Sequence, residues 1–325
     1  MFYNLKVSKA IKQIEERVDS AKNEDDLVAI LDAVISEKLP VKYDQRLALF
    51  LFFISTVNLV YWIVLYARTS QNNDFTLISL VPFCFFAFLI AIRWGNVYEI
   101  SKKLFRQDIW FNNGLTPEKV NGDKLAKQLR KSFKEFHRGN YSQEIEFIAK
   151  GVFNGSEHTF NYDVMTFLYI DLKSGGKTTY KEYYRRYGIV FDFPYSTSLL
   201  VSQDLPERYY DTKYQDASVS FTKQYKVRCE NVELAARFLK PAVIDKFTTF
   251  MDKFKEIHFE INETGEACLF VEDKLLKLEN QYGIDKPEKF KEEILQHNKL
   301  HALDDVLQFA HYLMTQADNN FRKGK

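Results

Sequence analysis

Cysteine is scarce in this chain: Cys84, Cys229 and Cys268 are the only three in 325 residues, and no CxxC pair occurs. That spacing excludes a disulfide-framed secreted domain and a ribbon- or finger-type zinc site. Two free buried thiols are the expected state of Cys229 and Cys268. A GxGxxG fingerprint, a GxSxG elbow and an HExxH helix are missing too, which removes the motif-bearing dinucleotide enzymes, hydrolases and metalloproteases. Carboxylates are plentiful, yet no pair has a spacing that marks it for acid–base work. Net charge is nearly absent, with 45 Lys and Arg against 44 Asp and Glu, so no nucleic acid is expected as a partner. Residues 1 to 40 are charged throughout, which leaves no room for the apolar core of a cleavable signal peptide.

Two long uncharged runs are present, Leu47 to Ala67 and Phe75 to Ile92, joined by a polar link from Arg68 to Asp74. At about 1.5 Å per residue the first spans a hydrocarbon core of roughly 30 Å. The second is shorter and carries Pro82, which a membrane helix tolerates where neighbours satisfy the freed carbonyl. Neither run has a polar face, as a buried helix of a soluble protein usually does. The short link makes the pair an antiparallel transmembrane hairpin over 47–95, with spans 47–67 and 75–92. Lys38, Lys42 and Arg46 precede it, and Arg93, Lys102, Lys103 and Arg106 follow it, against Arg68 alone in the link. Basic flanks stay inside, so both termini are expected in the cytoplasm. The mean hydropathy of −0.32 then requires the remainder to be distinctly polar.

Before the hairpin, residues 1–46 read as two amphipathic helices, with Ile11, Ile14 and Val18 on one face and Leu27, Ile30, Leu31, Val34 and Ile35 on another. After it, the juxtamembrane residues 96–140 continue helical. The second span is expected to run on to Asn112, and Thr116-Pro117-Glu118 reads as a fresh helix start reaching about His137. Lys124, Lys127, Arg130, Lys131 and Lys134 crowd the polar side of that segment, with Arg138 beyond, while Leu125, Leu129, Phe133 and Phe136 share the other. Two readings of residues 118–138 stay open: a basic helix lying on an anionic leaflet, or a surface helix docked on the following domain.

From Tyr141 the texture changes to short β-branched and aromatic runs, IEFIAKGVF, DVMTFLYIDL, YGIVFDF, STSLLV and SVSFTKQYKV, separated by turn clusters too short for parallel crossovers. TTYKEYYRRYG fits helix spacing and strand composition alike. Helices are expected from Asn231 and again from Pro241, then a hairpin of EIHFEI and ACLFVED, then a capping box at Asp285 to Glu288 and a closing helix. Residues 141–325 form one cytoplasmic α+β domain of antiparallel strands and helices on this reading.

Three local patterns invite chemistry. Ser174-Gly175-Gly176-Lys177-Thr178 resembles the tail of a phosphate loop, but the position that needs the first glycine is Asp171, and a hairpin turn explains the glycines. His297 and His301 stand four apart on an expected helix without a third ligand, so no metal and no cofactor is expected. The basic aromatic run Tyr180 to Tyr187 could face bases or head groups, or serve as a protected exposed edge or face of a sheet.

The stretch Phe221 to Val271 carries a resemblance. Val232-Glu233-Leu234-Ala235-Ala236-Arg237-Phe238-Leu239-Lys240-Pro241 is similar to the "eAR.LtP" helix of a bacterial family catalogued as domain of unknown function 3137, with Lys240 where the family has a small polar residue. The layout of helical start, two spans and C-terminal domain is similar as well. The resemblance implies a bacterial inner (plasma) membrane protein and carries over no catalytic residue. Arg237 is expected to be structural, paired with a nearby carboxylate.

The expected function is that of a membrane-anchored module whose partners are the lipid bilayer, an unknown cytoplasmic protein, or a second copy in a homo-oligomer. The alternatives are a membrane-bound enzyme with a site assembled from dispersed residues, and lipid-surface sensing through residues 118–138.

Overall fold

The computed structural model describes residues 2–69, 74–176, 178–196, 198–204, 212–216 and 218–321. The chain divides into two compact units, Met1–Asn112 with Glu279–Asn298, and Asn113–Leu278 with Lys299–Lys325.

In the first unit, α1 (Phe2–Ser20) and α2 (Glu24–Ser36) are the two amphipathic helices. Asn23 ends the break between them, its side chain accepting from the Asp26 backbone N–H. Val7, Ile11, Ile14 and Val18 of α1 and Leu27, Ile30, Leu31 and Val34 of α2 are buried. Helices α3 (Arg46–Thr69) and α4 (Asp74–Asn112) form the apolar pair. Residues 70–73 of the link lie outside the described residues. The Ser79 hydroxyl donates to Asn58 Oδ1 at 2.7 Å, and Trp62 stacks on Phe75 with centroids 4.9 Å apart. Pro82 sits inside α4 without ending it. Past the apolar run α4 continues as one helix to Asn112, where Ile100, Leu104 and Phe105 are buried and Lys103 pairs with Glu15 and Asp19 of α1.

A second stretch of chain joins this unit. Residues 279–298, read from sequence as part of the 141–325 domain, cluster with Met1–Asn112 instead. The Ile284 N–H donates to Ser101 Oγ of α4 at 2.9 Å, and Lys291 pairs with Asp32 of α2. The helix there, α9 (Pro287–Ile294), starts on Pro287 after Lys286, with no side-chain cap, so Asp285 makes no capping box.

The second unit is a nine-stranded antiparallel sheet in the order β1-β2-β3-β4-β9-β8-β5-β7-β6. Its strands are β1 (Thr116–Pro117), β2 (Ser142–Asn154), β3 (Thr159–Gly175), β4 (Thr178–Asp192), β5 (Leu199–Ser202), β6 (Thr212–Tyr214), β7 (Lys226–Cys229), β8 (His258–Ile261) and β9 (Glu266–Val271). The long meander β2-β3-β4 matches the expected strands, and the ambiguous run after Gly176 is strand β4. Two readings need correction. Thr116-Pro117 opens no helix: it pairs with Lys150 and Ala149 of β2, and α5 (Gly122–Ser132) starts later, capped by Asn121. SVSFTKQYKV is not one strand, because Ser218 caps a short helix, α6 (Val219–Gln224), and only then does β7 begin.

One sheet face carries Phe259, Ile261 and Leu269 under α7 (Val232–Phe238), α8 (Pro241–Met251) and α10 (His301–Phe321). Phe238 stacks on Phe259, and Phe247 meets Phe309 edge-on at 5.0 Å. The opposite face is covered by α5 and the turn Glu135–His137, where Phe133 and Phe136 join Ile148, Met165, Phe167 and Phe270 in a buried cluster. The strands beneath lie close: a Cβ on Gly188 would stand 2.3 Å from the Leu269 carbonyl oxygen and 2.5 Å from the Phe270 ring. Gly265, at φ +83, closes the β8-β9 hairpin in the left-handed region where a side chain is strained.

Candidate functional site

Strand alternation places His258 and Glu260 of β8 on the face beneath α5, and the antiparallel register sets Cys268 of β9 directly opposite Glu260. In an ordinary two-layer domain such a face would be wet, and His258 and Glu260 alternate with the apolar Ile257, Phe259 and Ile261 in the pattern of a strand with one solvated face. The segment Phe133 to Arg138 covers it. His258 is 1% exposed, and Glu260 and Cys268 are at 0%.

That segment also brings its own charges. Glu135, at 0% exposure, accepts from Arg186 Nε at 2.7 Å and from Arg138 Nε at 2.9 Å. Its Oε2 is 3.2 Å from His258 Nδ1. His258 Nε2 is 3.2 Å from Glu260 Oε2, which also accepts the Lys134 backbone N–H at 2.7 Å. At the rim, Arg186 reaches Glu256, through its carboxylate and its carbonyl, and Arg138 reaches the Asp204 carboxylate at 3.1 Å. Four carboxylates thus face two guanidiniums around one imidazole and one thiol. Glu260 Oε1 is buried and has no hydrogen-bond partner among the described residues.

Burial alone would push the Glu135 carboxyl up, but the guanidiniums of Arg186 and then Arg138 outweigh it and hold the group well below the usual carboxylate range. Burial raises the Cys268 thiol well above its usual value. Because the folded-state value of Glu135 lies below its unfolded one, its stabilisation is complete above about pH 4.3 and is lost as the pH falls through the folded value. The guanidinium midpoint of the sheet unit is therefore expected to drop steeply below about pH 4. A midpoint that stays flat through that range, or falls to the same extent in Glu135→Gln, removes Glu135 as the cause.

The residues singled out from sequence lie elsewhere. Lys124, Lys127, Arg130 and Lys131 are exposed on α5 and Lys134 is half-buried, while Leu125, Ala126 and Leu129 pack on the sheet. The apolar side of the helix is thus occupied by protein. Arg138, counted from sequence among these surface cations, is buried and ion-paired, and so is Arg186, which falls in the run read as exposed. Tyr180 and Tyr183 of that run are indeed exposed. They lie where β4 has passed beyond the reach of β9, whose pairing ends at Tyr187. Ser174 and Gly175 end β3 and Thr178 begins β4, a hairpin, with Lys177 outside the described residues. His297 is not helical: it has φ 49 and stands 3.2 Å from Glu24, and α10 begins only at His301. Arg237 pairs with Glu233 one helical turn before it, as expected. Cys229 and Cys268 are free and buried, and Cys84 is free and exposed.

Both α3 and α4 are long and apolar enough to cross a membrane, with 17% and 6% of their apolar windows buried. That exposure separates them from the core helices of a soluble protein. The chain matches no family model and no curated protein. The likeness of residues 232–241 to the bacterial family named above is therefore that of one short motif. Among solved structures, the crystal structure of the mycobacterial trehalose monomycolate transport factor A, TtfA, is similar at 13% identity and a TM-score of 0.32, covering 63% of this chain and 93% of that one. At that score the likeness transfers neither a residue role nor an activity. What these findings support together is an α+β chain with two helices fit to span a membrane.

Proposed function

We propose that the chain is a bacterial inner-membrane protein whose hairpin anchors it and whose sheet unit serves as a protein-interaction module on the cytoplasmic side. One observation supports this most: Phe50, Phe53, Val57, Val60, Val64, Leu77, Val81, Phe85 and Phe88 point out of the protein on both apolar helices. Water-facing side chains of that kind along two helices are unstable outside lipid. The orientation rests on the basic flanks, Lys38, Lys42 and Arg46 before α3 and Arg93 to Arg106 along α4, against Arg68 at the link. A conduction or transport role is weakened, because Asn58 is engaged with Ser79 and no charged residue falls within either apolar run.

Crosslinking in native membranes followed by mass spectrometry tests the interaction reading. Lysines of the sheet unit, such as Lys213 and Lys226, are expected to link reproducibly to one cytoplasmic protein. Links only within the chain or between its copies, together with turnover of a small-molecule substrate by the purified protein, would turn the reading to that of an enzyme.

A further inference from the structure

The buried face of the sheet holds the parts of a metal centre. The imidazole of His258, the carboxylate of Glu260 and the thiol of Cys268 bring one donor atom each to within 4.8 Å of one another, and all three residues are buried. They come from adjacent positions of two paired strands, so the backbone ladder fixes their spacing rather than a loop. A tetrahedral zinc-class ion with bonds of about 2.0–2.3 Å to nitrogen, oxygen and sulfur sets its ligands roughly 3.4–3.8 Å apart. His258 Nε2 and Glu260 Oε2 already stand 3.2 Å apart.

Two further observations point to a ligand rather than to a closed ionic lattice. Glu260 Oε1 is a buried carboxylate oxygen without a partner among the described residues, and such a lone pair is costly unless something binds it. Glu135 stands on the far nitrogen of His258 at 3.2 Å, the place from which a carboxylate orients a metal-bound imidazole and leaves its other nitrogen free to coordinate. Arg186 and Arg138 lock Glu135 in that position. The charge balance agrees: Glu135, Glu260, Glu256 and Asp204 exceed Arg138 and Arg186 by two negative charges when the imidazole is neutral.

We propose that His258, Glu260 and Cys268 bind a divalent zinc-class cation, with Glu135 as the residue that orients His258. A mixed nitrogen, oxygen and thiolate donor set favours zinc over magnesium or calcium, which take oxygen ligands alone. Three protein ligands leave one position for water, and the full burial of the cluster assigns the ion to holding β8, β9 and the Phe133 to Arg138 segment together.

The test uses the full chain in detergent, stripped with a chelator, then given zinc or cobalt(II) and separated from free metal. The wild-type protein is expected to retain one zinc per chain and, with cobalt, to show the thiolate-to-metal charge-transfer absorption that only a sulfur ligand produces. Cys268→Ser is expected to lose that absorption while Cys229→Ser keeps it, and Glu260→Gln to weaken zinc retention at least tenfold. Should a variant fail to fold, the cobalt spectrum of the wild-type chain still decides. No retained zinc and no sulfur band in the wild-type protein overturns the proposal. Zinc retained equally by folded Cys268→Ser and Glu260→Gln places the metal elsewhere and overturns it as well.

Discussion

Glu135→Ala is expected to destabilise the sheet unit by about 3–5 kcal/mol, the range for removing one partner of a buried ion pair. Most of that cost comes from the groups the side chain leaves behind. Its loss strands Arg186, at 1% exposure, with only the rim contacts to Glu256, and it takes from Arg138 the inner of its two carboxylates. A guanidinium cannot shed its charge to escape, as a buried lysine can, so the full desolvation cost falls on the fold. Against a total stability of about 5–15 kcal/mol for a typical domain, that change takes between about a fifth of the margin and all of it. Glu135→Gln keeps the shape and one acceptor and is expected to cost less. The measurement is the guanidinium midpoint followed by tyrosine near-ultraviolet circular dichroism, since Trp62, Trp94 and Trp110 all lie in α3 and α4 and report on the other unit. A shift below about 1 kcal/mol for Glu135→Ala would mean that water hydrates the cluster and that it is not a dry core.

Deleting residues 47–95 is expected to move the protein from the membrane pellet, where it resists alkaline carbonate, into the supernatant. The first span alone contains thirteen Leu, Ile, Phe and Val residues, worth roughly 4–8 kcal/mol of insertion energy on a biological scale before Ser55, Thr56 and Asn58 are deducted. A single Val57→Arg change, on an exposed position near the middle of α3, is expected to take back about 2.5–3.5 kcal/mol and reduce membrane incorporation severalfold. The truncated chain also separates the two readings of residues 118–138. With the apolar side of α5 packed on the sheet, the exposed cations Lys119, Lys124, Lys127, Arg130 and Lys131 are the ones that can meet an anionic surface, an attraction of about 1 kcal/mol each that salt screens. Flotation of the truncated chain with anionic vesicles at low salt, abolished at high salt, would support surface contact. No flotation at low salt leaves α5 as a plain docked helix.

Much of the architecture could be read from residues because local chemistry decides it. Asn23 and Asn231 cap helices, Pro241 starts one, and Asn262 to Gly265 closes a hairpin, each through groups within a few positions of one another. The apolar runs declare α3 and α4 by length. What escaped is whatever a distant segment decides. Thr116-Pro117 has the makings of a helix start, yet an edge position beside β2 satisfies it better, since the proline has no N–H to offer and an edge asks for none. The candidate metal centre escaped for the same reason. Alternating His258 and Glu260 look like the wet side of a strand until the segment 133–138 lies over them. The pair of adjacent arginines hides the distinction further, because Arg185 meets Glu146 at the exposed surface while its neighbour Arg186 points to the opposite, buried face. Strand parity separates the two, and only the observed register fixes the parity.

The seam between β4 and β9 bears on how the unit folds. Strands β2, β3 and β4 follow one another through tight turns, and β8 and β9 form a second local hairpin. Their junction joins Tyr187 to Val271 and Asp192 to Glu266, pairs more than 70 residues apart in the chain. Contacts of such separation form slowly, since loop closure precedes any gain from them. The ionic cluster straddles this seam, with Arg186 on one side, His258, Glu260 and Cys268 on the other, and Glu135 laid across from before β2. Its charges therefore stay hydrated in both halves until the seam closes. The desolvation cost then falls on that single step, which makes the docking of the two half-sheets the natural rate-limiting event of folding.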